Sequence, residues 1–170
     1  MTRRAFCLYL ALAGGLACGA AGELRGDVYR GDGLAFRLGT LPPGWRQLEV
    51  KGARVAFRDE AAESTVLVNA RCGKDGDDIP LQALTQHLFM SFTERETLDQ
   101  KVVPMDGREA MHTLMNAKLD GVPLSFDAFV LKKDGCVYDF VDISAPDKLA
   151  THRAAFETFV GGFHTLKAGE

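Results

Sequence analysis

The chain reads as an α+β protein: an antiparallel β-sheet, rich in meander, covered by two amphipathic helices. Three observations predict this. Asp-Gly occurs at 106–107, 120–121 and 134–135, each time between segments of strand character. Both residues of such a pair tolerate positive φ, which tight hairpins demand. Leu81, Leu84, Leu88 and Phe92 are spaced for one face of a helix, and Leu149, Phe156, Phe159, Val160 and Phe163 mark a second helix. In Ser64–Cys72, Val66, Val68, Ala70 and Cys72 alternate, as in a strand with one buried face. Strands joined by tight turns are antiparallel, and the helices need that sheet to cover their apolar stripes.

The elements follow in order. Val28–Arg30, the turn Gly31-Asp32-Gly33 and Leu34–Leu38 form an opening hairpin. Leu41-Pro42-Pro43-Gly44-Trp45 is a rigid turn whose Trp is expected to be mostly buried, the alternative being an exposed docking Trp. Short strands follow at 46–50 and 54–58. After Ser64–Cys72 comes the polar loop 73–78, with Asp78 as the expected N-cap and Pro80 in the first turn of the first helix. Thr93–Glu96 closes that helix. The meander strands are 98–105, 109–119, 122–132 and 136–144. Cys136–Ser144 is apolar on both faces, so it is expected to be central. Ser144-Ala145-Pro146-Asp147 resembles a capping box for the last helix, and Gly161-Gly162 ends it.

The first residues are not expected to belong to the fold. Arg3-Arg4, the apolar run Ala5–Ala13 and a small-residue zone have the layout of an export signal. The apolar run is too short to span a bilayer, which takes about 20 residues. Leu16-Ala17-Cys18-Gly19 resembles a lipobox, with Cys18 acylated after removal of residues 1–17; cleavage near Ala21 is the alternative, giving a soluble periplasmic or secreted protein. The twin Arg leaves the export route open. Residues 18–26 are read as a tether and 27–166 as one domain. Cys72 and Cys136 are then an even pair in an oxidising compartment. They can face each other if the strand ending at Cys72 neighbours the strand beginning at Cys136, and two free thiols are the alternative.

Composition excludes several classes. Charged residues are 25% and hydrophobic residues 46% of 170, so the chain is not of disordered type. The net charge of −3 disfavours a nucleic-acid partner. Removing residues 1–17 takes away two Arg and no acid, so the mature domain is more acidic still.

With these elements in place, the chain resembles the PsbP-like family of α/β/α sandwiches, and within it the DcrB-like periplasmic lipoproteins. The resemblance rests on Leu41-Pro42-Pro43-Gly44-Trp45 after an opening hairpin, the helix around Leu81–Phe92, the four-strand meander and the closing Phe159-Val160-Gly161-Gly162-Phe163. It implies no shared catalytic residue.

No catalytic or metal constellation emerges from the residues, and no cofactor is expected. His87, His112, His152 and His164 are scattered, and His152 reads as a packed or rim residue. Asp75, Asp77 and Asp78 have oxygen density suited to calcium but lack the closing Glu. Asp127, Asp139 and Asp142 are expected to be solvent-facing or at strand ends, and Met90, Met105, Met111 and Met115 to fill core. Two functions are expected to compete. One is a non-enzymatic accessory or protein-binding lipoprotein, held to the membrane by its N-terminal lipid and docking on an envelope protein. The other is a small hydrophobic ligand or lipid binder with a cavity lined by Phe89, Phe92, Phe126, Phe140 and Phe156.

Overall fold

The computed structural model describes residues 22–73 and 79–167. The export signal, Cys18, the Asp75–Asp78 cluster and its expected N-cap therefore lie outside the described residues. The strands are β1 (Glu23–Arg25), β2 (Val28–Gly31), β3 (Leu34–Arg37), β4 (Arg46–Leu48), β5 (Val55–Asp59), β6 (Ser64–Cys72), β7 (Thr93–Met105), β8 (Arg108–Leu119), β9 (Val122–Lys133), β10 (Cys136–Ser144) and β11 (His164–Thr165). The helices are α1 (Leu81–Leu88) and α2 (Leu149–Gly161).

The strands form two sheets, in the orders β1-β2-β3-β11 and β4-β5-β6-β10-β9-β8-β7. Register parity then sorts side chains by face. Tyr138, Phe140 and Asp142 of β10 face α2, and Val137, Asp139 and Val141 face α1. On the α2 side, the small sheet packs through Phe36 against Tyr138 (6.0 Å, edge on) and Phe163 (5.8 Å). The layers are α1, the large sheet, then α2 beside the small sheet.

The Asp-Gly turns behave as expected. φ is +46° and +72° at Asp106-Gly107, +50° and +83° at Asp120-Gly121, and +52° and +72° at Asp134-Gly135; Asp32-Gly33 matches them at +51° and +76°. These angles suit hairpins whose twist matches the strands. Strand β10 is central, between β6 and β9. Gly39 and Gly162 meet backbone to backbone: a Cβ on Gly162 would lie 2.4 Å from the Gly39 Cα. That approach lets Gly39 N–H donate to the Phe159 carbonyl (2.8 Å), fixing α2 to the chain after β3.

Several expectations are corrected. Glu23–Arg25, read as tether, pairs with β2 as an edge strand, so the folded chain begins before residue 27. Helix α1 ends at Leu88 rather than near Phe92, and β7 begins at Thr93 rather than 98. Phe92 nevertheless packs on Phe126 (4.7 Å) from the connecting turn. Pro80 is the N-cap of α1, and neither it nor Lys148, the N-cap of α2, makes a side-chain cap. The capping box does not form, because 145–148 make a separate turn closed by Lys148 N–H to the Ala145 carbonyl (3.0 Å). Met105 and Met115 are core, but Met90 is 68% exposed.

Candidate functional site

Two features of the fold carry chemistry: a buried polar network under α2 and an apolar surface on the opposite side.

The network begins with Asp142 of β10 and Asp127 of β9, which are directly opposed in register. Both are fully buried, and Asp139 is 2% exposed, so the expectation of solvent-facing carboxylates is wrong for all three. Buried carboxylates need partners. Asp142 accepts a hydrogen bond from the Ser64 hydroxyl (2.5 Å) and pairs with His152 Nδ1 (2.6 Å). Asp127 pairs with His112 Nε2 (2.7 Å) and lies 3.7 Å from Arg153 Nε. His112 stacks on Phe129 at 4.2 Å, and Trp45 meets His152 edge on at 6.3 Å. Burial raises the Asp142 pKa; Ser64 and His152 oppose that shift and the facing Asp127 adds to it.

This arrangement contains Ser, His and Asp but lacks the geometry of a nucleophilic triad. The Ser64 hydroxyl donates to the carboxylate instead of to histidine, and the side chain is fully buried. What the network does is hold. His152 and Arg153 on α2 join Asp142 and Asp127 on the sheet, at the end where the aromatic core gives way to polar side chains. His152 is packed, as expected, and its carboxylate partner is one that no local spacing announces. A signal was available: an Asp inside a strand apolar on both faces must be buried, and must find partners.

A second anchor is Asp106, in the β7–β8 turn. Its carboxylate accepts from Lys133 Nζ (2.6 Å) and Thr165 N–H (2.9 Å) and pairs with His164 Nδ1. Burial pushes its pKa up, but these partners outweigh burial and hold it below the usual carboxylate value. Asp106 thereby ties β11 of the small sheet to the meander. Asp139, facing α1, is the contrast. Burial raises its pKa, and Arg71, 2.8 Å away and half exposed, compensates only in part. Tyr138, at the interface of the two sheets, is pushed up to about 12, chiefly by burial.

Cys72 and Cys136 form a disulfide. They are direct partners in the β6–β10 register, with Cα atoms 4.0 Å apart. The expected Phe-lined cavity is not there. Phe89, Phe92 and Phe126 pack together on the α1 face, while Phe140 and Phe156 belong to the core on the α2 face. The sheet separates the two groups, and four of the five are at most 1% exposed. Trp45 is half-buried against the α2-side core instead of mostly buried. Among the described residues no group of three or more His, Cys, Asp or Glu could hold a metal, and no helix is long and apolar enough to cross a membrane.

The apolar surface is more uneven than the sequence suggests. Among the described residues the exposed large hydrophobic side chains are Met90, Leu98, Val102, Leu119 and Val122, at 42–68% exposure. They lie after α1, along β7 and at the β8–β9 turn. None is on the small sheet or α2.

No protein-family model matches the chain, and no curated protein sequence matches it. Solved structures do. The cyanobacterial PsbP (CyanoP) of Synechocystis sp. PCC 6803 superposes with a TM-score of 0.57 at 18% identity, over 92% of this chain and 99% of that one. LpqN of Mycobacterium tuberculosis, described as involved in cell envelope biogenesis, gives 0.56 at 15% identity over 81% and 87%. The Ran-binding protein Mog1p of Saccharomyces cerevisiae gives 0.55 at 11% identity over 78% and 89%. The likeness is one of fold: the chain adopts the PsbP-like α+β sandwich.

Proposed function

We propose that this chain is an exported envelope lipoprotein, acylated at Cys18, that acts as a non-enzymatic accessory by binding another envelope protein. The observation that carries the reading is the one-sided distribution of exposed apolar side chains. Exposed apolar side chains gathered on one side of a domain favour an interaction surface there. The carboxylates of the polar network on the other side, Asp127 and Asp142, are fully buried, so they offer a substrate no approach. The disulfide supports an oxidising compartment, and the involvement of LpqN in cell envelope biogenesis supports an envelope role.

The tether is short. β1 opens at Glu23, five residues after Cys18, so an acylated Cys18 holds the domain within about 17 Å of the lipid. The partner is therefore a protein at or near the membrane surface. The test is palmitate labelling and envelope fractionation, followed by crosslinking in intact cells. Cys18→Ala is expected to abolish labelling and release the protein from membranes, and the wild type to yield a defined crosslinked protein. Unchanged labelling removes the lipoprotein reading. Absence of any crosslinked protein removes the binding reading.

A further inference from the structure

A groove of about 580 Å³ runs between α1 and the β7–β8 ladder. Gln82 and Gln86, one helical turn apart, line one side. Thr97 and Gln100 of β7 line the other, and Met90 and Arg95 border the chain that links α1 to β7. Among the described residues no acidic side chain lines it, although the chain has 23 acids against 20 bases. The register shift of β7 between Thr97 and Asp99 explains this, because it brings residues three apart onto one face. Thr97 and Gln100 lie opposite Met115 and Thr113, on the α1 face. Glu96 and Asp99 lie opposite Asn116 and Leu114, on the other face. Glu94 is paired with Lys118 (2.7 Å). Arg95 donates only to the Phe89 carbonyl (3.4 Å) and has no carboxylate partner among the described residues.

We infer that this groove receives an extended peptide segment of the partner protein, carrying an acidic residue beside an apolar one. The inference rests on the protein-binding reading and names its surface. Each Gln offers both a donor and an acceptor, the pair that a peptide unit of an extended chain requires. Gln82 and Gln86 on one wall present such groups along a line; facing them are Thr97 and Gln100, whose amide already donates to the Thr113 hydroxyl (3.0 Å). Arg95 supplies the uncompensated cation for a carboxylate, and Met90 adapts to an apolar side chain. A single Arg is too little for a multiply charged anion, so a phosphate-rich ligand fits less well than a peptide.

The edge of β7 itself is not offered for pairing. Its register shifts between Thr93 and Glu96 and between Thr97 and Asp99, and it carries Pro104, devices that discourage strand addition. The peptide accordingly lies on the α1 face and adds no strand at the edge.

The experiment is selection of a random dodecapeptide phage library on the disulfide-intact domain. Anisotropy titration of fluorescein-labelled selected peptides and amide chemical-shift mapping follow. Acidic–apolar peptides are expected. Their dissociation constants are expected to rise at least tenfold in Arg95→Glu and several-fold in Gln86→Ala, with shifts confined to residues 82–100 and 113–115. A library that returns no binder, a basic consensus, indifference to Arg95→Glu, or shifts on the small sheet would each overturn the groove. So would Arg95-dependent binding to phosphatidylglycerol vesicles without peptide binding. The groove and the broader reading fail separately. A partner crosslinked in the envelope only from other surfaces removes the groove and leaves the protein-binding reading standing.

Discussion

The two faces of the large sheet differ in how completely they are covered. On the α2 side, Phe36, Phe140, Phe156 and Phe159 are at most 1% exposed, the disulfide staples β6 to β10, and the carboxylates of Asp106, Asp127 and Asp142 have Lys or His partners. On the α1 side, a helix of eight residues covers the middle of the sheet, a span of about 12 Å. Met90, Val102, Leu119 and Val122 are left in solvent beyond it. The difference teaches that one face holds the fold together and the other is free to present apolar surface. Changes on the α2 side should cost stability, and changes on the α1 side should cost binding.

The largest expected effect is loss of the disulfide. Cys72→Ser with Cys136→Ser opens a cross-link spanning 64 residues, worth about 4 kcal/mol in the chain-entropy model. Denaturant unfolding of the variant, and of the wild type with and without reductant, should show it. A difference below about 1 kcal/mol would mean that β6 and β10 hold register unaided.

Next is Asp106→Asn, which strips charge from hydrogen bonds joining the small sheet to the meander; a loss of about 2 kcal/mol is expected near neutral pH. The wild-type contribution is present above the ordinary carboxylate pKa and is lost as pH falls through the lowered folded value. The variant should therefore converge on the wild type in acid.

Asp139 gives the opposite slope. Its raised folded pKa means that its contribution is full below the ordinary value and lost as pH rises through the folded one. The stability of Asp139→Asn relative to wild type should therefore increase as pH is raised from about 4 to about 8. Urea midpoints across that range check the sign, and a difference that shrinks with rising pH would contradict it.

The smallest stability effects belong to the α1 side. Met90→Gln and Val102→Thr should change stability by less than about 0.5 kcal/mol while weakening partner crosslinking. Larger destabilisation would mean that these side chains support the fold.

How much of this was legible in the sequence depends on where partners come from. The Asp-Gly hairpins carry their own signal, and β8, β9 and β10 lie within a residue of expectation. The Cys72–Cys136 pairing is legible only as a condition, that the two strands are neighbours, and the β6–β10 register meets it. Thr93–Thr97 does not read as strand in the sequence because an edge strand exposed on both faces needs no apolar alternation. Strand β11 has two residues and no pattern to read. The burial of the carboxylates is not legible locally because Asp127 and Asp142 draw partners from β6, β8 and α2, which no local spacing reveals. Residue type alone groups the five Phe, whereas strand parity sends Phe126 and Phe140 to opposite faces.

The most direct test of the division between faces is position-specific photo-crosslinking in the lipidated protein in intact envelopes. A photoreactive residue is placed at Val102 on the α1 side or at Arg37, exposed on the small sheet. A discrete protein adduct from position 102 and none from position 37 is the predicted result. Adducts from position 37 alone, or none from either, would contradict it.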